Sequence, residues 1–140
     1  MSWLTFVFVY YLIFFLLAQC MVSIVAHRQD RKVVVVRARA KEHLEAFFAG
    51  AHSEPEIIET QAADYRWRVY CTRDLARTML TRAFDGINYP NFKNSVRDAR
   101  LHRAYSRVWG VMRDYQDGTS PDDLPDLFGE TWTTDAEGEL

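Results

Sequence analysis

Residues 3–26 read WLTFVFVYYLIFFLLAQCMVSIVA, a run without a single charge in which only Thr5, Gln19 and Ser23 are clearly polar. As one helix this run would extend about 36 Å at 1.5 Å per residue, enough to cross a hydrocarbon core of about 30 Å. A cleaved signal peptide is the competing reading. It lacks the basic leading region, and Ile24 with Ala26 makes a poor cleavage pair. Cys20 does not suit lipid attachment, because Gln19 stands where a small residue is needed. The run therefore predicts a single transmembrane anchor over residues 1–27. His27, Arg28, Arg31 and Lys32 follow it and nothing basic precedes it, which places the remainder in the cytoplasm by the positive-inside rule. A second start at Met21 would remove most of the anchor and give a shorter, soluble product.

Charge divides the rest of the chain. Residues 27–116 contain all 17 Lys/Arg against 11 Asp/Glu, a net of +6, and residues 117–140 contain 8 Asp/Glu and no Lys/Arg, a net of −8. The overall −2 conceals this split. With Pro121, Pro125 and three glycines, the tail has little means of ordering itself, although Leu127, Phe128 and Trp132 give it an acidic-aromatic character suited to docking.

Residues 28–116 are expected to form one small α+β domain. Val33–Val36 leading into Arg37-Ala38-Arg39-Ala40 is a β-branched run that turns into alternation, the pattern of a strand. Residues 41–49 read as a short helix that buries Leu44, Phe47 and Phe48 and is stopped by Gly50. Residues 56–60 and 65–72 read as two further strands. In the second of these Tyr65, Trp67, Val69 and Cys71 share one face, and Arg66, Arg68 and Tyr70 the other. Thr72 can cap a second helix that buries Leu75, Met79, Leu80, Ala83 and Phe84, with Gly86 as a left-handed end. A final helix carries Leu101, Tyr105, Val108, Met112 and Tyr115 on one stripe.

The order β-α-β-β-α, with a short fourth strand at residues 87–89, predicts a ferredoxin-like split βαβ sandwich plus a C-terminal helix. The segment YPNFKN (89–94) is then the turn that leaves the fourth strand and caps the last helix. Phe92 packs inward there, and Asn91 and Lys93 are exposed.

Three blocks, DYRWRVYCTRD (64–74), GINYPNFKNSV (86–96) and HRAYSRVWGVM (102–112), resemble a group of small uncharacterised bacterial proteins with DYxxR, YxNFK and VWxxM blocks. The resemblance covers residues 33–116 or so. It implies a domain type without an assigned activity, so no functional residue transfers.

Catalytic constellations are thin. His43, His52 and His102 fall in separate elements, there is no paired-cysteine or HxxxH spacing, and no glycine-rich phosphate loop or nucleophile elbow occurs. The sequence predicts no enzyme, no cofactor and no metal. Its most informative feature is the polar sheet face: in a ferredoxin-like order the first and third strands are neighbours, which brings Arg37 and Arg39 beside Arg66 and Arg68, with Tyr70 close by. Such a face calls for something anionic. The expected function is a membrane-anchored interaction or accessory module, a minor subunit of a larger membrane complex. It would use these five residues with Lys93 and the tail's Leu127, Phe128 and Trp132. The alternatives are an anionic-ligand or nucleic-acid binder, weakened by the single stacking candidate Tyr70, and a small enzyme of unfamiliar type.

Overall fold

The computed structural model describes residues 13–118. The chain divides into two compact units, residues 1–92 and residues 93–140.

The first unit is an α+β sandwich built on one five-stranded sheet, antiparallel throughout. Strands β1 (Ile13–Leu16), β2 (Met21–Ala26) and β3 (Val33–Ala38) form a meander. Helix α1 (Lys41–Phe48) follows, then the edge strand β4 (Ile58–Glu59), the strand β5 (Trp67–Thr72) and helix α2 (Arg73–Asp85). The spatial order is β1-β2-β3-β5-β4, so β5 is inserted between β3 and β4.

The predicted anchor helix is corrected over residues 13–26. Residues 13–26 are not one half of a membrane helix; they are two strands joined at Leu17–Cys20, where the Leu17 N–H donates to the Cys20 carbonyl at 2.8 Å. No described helix is long and apolar enough to cross a membrane. The cause is burial on both faces. Val22 and Ile24 point toward the helices, Ser23 points away, and Val22 and Ser23 are both fully buried. A strand covered on both sides reads as an unbroken apolar run, as a membrane helix does. The basic residues thought to flank a membrane form the β2–β3 turn: His27 Nδ1 accepts from the Gln29 and Asp30 N–H groups at 3.2 and 3.0 Å, and Asp30 Oδ1 accepts from the Lys32 N–H at 2.9 Å. Residues 3–12 lie outside the described part.

The predicted fourth strand at residues 87–89 is also absent. Its place beside β3 is taken by β2, which arrives from the N-terminal side. The order β2-β3-β5-β4 with α1 and α2 is thus the split βαβ arrangement with its last strand supplied first. Because β2 reaches β3 through a tight hairpin, no return strand is needed after α2.

The core lies between sheet and helices: Val22, Val34, Val36, Ala38, Val69 and Cys71 from the strands meet Leu44, Phe47 and Phe48 of α1 and Ala76 and Met79 of α2. Main-chain contact ties the hairpin to this layer, since the Met21 N–H donates to His43 Nδ1 of α1 at 3.3 Å. Gly50, at φ +72°, ends α1 in the left-handed conformation that glycine tolerates. At the start of α2 the Thr72 hydroxyl accepts from the Leu75 N–H at 3.1 Å, as expected of its cap. Thr72→Ala should lower stability by about 1 kcal/mol, read from the midpoint of urea unfolding; an unchanged midpoint would mean water replaces the cap at no cost. Gly86 closes α2 at φ −77°, not in the left-handed region expected of it. Phe84, placed in the core by periodicity, is 73% exposed. It falls in the last turn of α2, beyond the stretch where Ala76 and Met79 are buried.

The short helix α3 (Phe92–Ser95) begins at the last residue of the first unit, and the second unit contains α4 (Ala99–Gln116). The cap of α4 is Asp98, whose Oδ1 accepts from the Leu101 N–H at 2.7 Å, and not the YPNFKN segment. Asn91 and Lys93 are exposed as expected. Leu101 and Tyr105 are buried. Val108, Met112 and Tyr115, on the same stripe, are 37%, 55% and 70% exposed, so the predicted core positions Val108 and Met112 are corrected. The stripe is continuous along α4, but its cover stops after the second turn.

Candidate functional site: an arginine face on the sheet

On the sheet face opposite the helices, the ladder register sets one row across four strands. Ser23 of β2 pairs with Arg37 of β3, Arg37 pairs with Arg68 of β5, and Arg68 pairs with Ile58 of β4. Two arginines therefore stand directly opposite each other on the central strands, a juxtaposition in which like charges repel. Arg37 Nη2 donates to Ser23 Oγ at 3.1 Å. Arg68 is only 6% exposed, which corrects the picture of an open, solvated face: in the middle of the row it is shielded by Arg37 on one side and Ile58 on the other.

Arg39 and Arg66 lie just outside the strand ends and are exposed, each with a carboxylate beside it. Arg39 Nη1 donates to the Asp64 carbonyl at 3.2 Å and its Nη2 lies 3.7 Å from the Asp64 carboxylate. Arg66 Nε donates to Glu59 Oε1 at 2.7 Å. Both pairs are exposed and weak in energy. The next row is Val25, Val35 and Tyr70; the Tyr70 ring is 47% exposed and meets His27 edge-on at 5.9 Å.

Tyr65 was expected on the core face with Trp67. It sits instead among the arginines: the Arg37 and Arg39 guanidinium carbons lie 4.5 and 4.7 Å from its ring centroid, and its hydroxyl shares a hydrogen bond with Ser23. Burial pushes the Tyr65 hydroxyl above its ordinary value of 10.0. The Arg39 guanidinium opposes that rise, Asp64 adds to it, and Arg37 and Ser23 oppose it further. The ring is thus a neutral phenol at pH 7 that holds two cations by their faces.

Four predicted arginines and Tyr70 therefore do share one face. Lys93 belongs to the second unit, where its ammonium lies 4.9 Å from the Trp109 ring centroid. Leu127, Phe128 and Trp132 lie outside the described residues. Sequence reasoning missed Ser23, hidden inside the supposed anchor. It also missed Tyr65, which precedes β5 and so escapes the strand alternation that was used to place it. Among the described residues no three His, Cys, Asp or Glu side chains gather as a metal would need. No protein-family model, no curated protein and no solved structure matches the chain.

Proposed function

We propose that this chain is a non-catalytic interaction module, accessory to a larger assembly, and that its arginine face receives an acidic segment of a protein partner. The observation that carries the reading is the cross-strand pair Arg37–Arg68, continued toward one end of the two strands by the exposed Arg39 and Arg66. Four guanidiniums gathered on one sheet face raise the local positive potential, and that favours encounter with an anionic segment. Arg is suited to this role because its planar fork takes carboxylates two bonds at a time. The expected anchor spanned residues 3–26, of which residues 13–26 form a hairpin and residues 3–12 lie outside the described part, so the proposal rests on the arginine face alone.

An acidic polypeptide fits better than nucleic acid. Single-stranded RNA needs free aromatic faces to stack its bases, and the Tyr65 ring is occupied by guanidiniums, which leaves Tyr70.

The test is titration of poly-L-glutamate and of poly(U) RNA into the wild type and into Arg39→Glu/Arg66→Glu. These two positions are exposed and their reversal leaves the core intact. Binding of polyglutamate by the wild type should weaken about tenfold or more in the double variant at low salt. The difference should vanish near 1 M salt, where screening acts within about 3 Å. Equal affinity of both proteins for polyglutamate, or tighter binding of poly(U), overturns the proposal.

A further inference from the structure

On the other side of the sheet the first unit forms a half-open pocket of about 330 Å³, at the end of the helical layer where the β1–β2 turn, the end of α1 and the last turns of α2 meet. The volume falls within the range of small-ligand sites, about 300–1,000 Å³. Leu17, Cys20, Phe47 and Met79 supply apolar wall, Gln19 and Tyr89 add polar atoms, and among the described residues Arg82 is the one charged residue in the lining. Cys20 adds no charge: burial pushes its thiol up to about 11, so it is neutral at pH 7.

Arg82 is held by backbone. Its Nη1 donates to the Ala49 carbonyl at 2.8 Å, and its guanidinium lies flat against Gly50, where a Cβ would approach Nη2 to 2.8 Å. Among the described residues no carboxylate lies within ion-pair distance of it. Helix capping alone does not account for this placement, because α1 is already closed by Gly50, with the Ala51 N–H donating to the Phe48 carbonyl at 3.0 Å. The guanidinium is therefore fixed beside a half-open pocket of mixed polarity, next to the apolar side chains of Phe47 and Met79, with donors to spare.

We propose that this cavity binds a medium-chain aliphatic carboxylate, with the carboxylate on Arg82 and the chain running over Phe47 and Met79 toward Cys20. An apolar wall with a single immobilised cation selects a ligand with one anionic end and one apolar body. A polyanion would find no second cation among the described residues of the lining, and an uncharged lipid would leave the guanidinium without its bidentate partner. The site is separate from the arginine face and does not depend on its role.

Octanoate is the probe, octanol the control, and modification of Cys20 by N-ethylmaleimide in the full chain the readout, with Cys71 as an internal reference followed by mass spectrometry. Saturating octanoate should slow modification of Cys20 about tenfold or more and leave Cys71 unchanged, and octanol should protect far less. Protection should be lost in Arg82→Met. It should also be lost in Ala83→Glu, which sets a carboxylate in the cavity wall, leaves Arg82 in place and keeps the test valid if Arg82→Met does not fold. Equal protection by octanoate and octanol, no protection by either, or protection that survives Ala83→Glu overturns the proposal.

Discussion

A chain that begins at Met21 is expected to self-associate and to lose a large part of its stability. The sequence alone pointed the other way, to a soluble product freed of its anchor. The structure reverses this because Phe15, Leu17 and Cys20 all pack against the core, and β1 covers the outer edge of β2. Removing the first twenty residues withdraws the buried Cys20 and the partly buried Phe15 and Leu17, a loss on the order of 3 kcal/mol when full burial of one such group is worth about 1.5–3 kcal/mol. Small domains hold about 5–15 kcal/mol in all. The truncation also leaves Met21–Ala26, uncharged and rich in β-branched residues, as an unpaired edge. Size-exclusion chromatography and urea unfolding of the two lengths check this. A truncated chain that runs as a monomer with an unchanged midpoint would mean that the hairpin contributes nothing, and the placement of residues 13–20 would be wrong.

Leu44→Ala is expected to destabilise the first unit by about 2–5 kcal/mol, because Leu44 is fully buried and a deleted side chain there leaves a cavity that the sheet cannot collapse to fill. Phe84→Ala removes more atoms and should cost about 0.5 kcal/mol or less, since Phe84 is 73% exposed. The comparison discriminates because hydrophobicity alone ranks the two the other way round. Thermal melts of both variants decide it. If Phe84→Ala costs as much as Leu44→Ala, the side of α2 that faces the sheet has been assigned wrongly, or another surface covers Phe84.

What the sequence disclosed depends on how local each signal is. The Val33–Val36 strand, the short helix ending at Gly50, the Thr72 cap and the neighbouring positions of β3 and β5 follow from residue patterns a few positions wide, and these expectations agree with the structure. The N-terminal hairpin was illegible for a physical reason: a long uncharged run satisfies the length of a membrane helix and the composition of two strands buried on both faces equally well. Only Gln19, in the turn, and the placing of Ser23 between Val22 and Ile24 hinted at the second. That error carried forward, because with β2 hidden in an anchor the sheet lacked a strand and residues 87–89 were recruited to fill the gap. On α4 the period of the stripe was right, but periodicity marks a face and says nothing of how far its cover extends, so Val108 and Met112 were misplaced. At the arginine face the four guanidiniums and Tyr70 were legible from alternation. Tyr65 was not, because it lies two residues before β5 begins.

Placing the last strand of the sandwich first changes what the nascent chain has to endure. As the polypeptide leaves the ribosome, β1, β2 and β3 can pair at once through short turns, but the other edge of β3 stays open until β5 has been made, and residues 39–66 must be synthesised in between. At about 5–20 residues per second that interval is on the order of seconds, long compared with the microseconds in which a hairpin forms. Throughout it, Val33–Val36 presents four β-branched residues in a row with a free edge, the kind of segment that seeds pairing between neighbouring chains. Arg37 and Arg39 follow directly. Two such edges brought together would set guanidiniums near guanidiniums, a repulsion that discourages the wrong partner. The arginines would then protect the unfinished sheet, and the arrival of Arg68 on β5 would close the row.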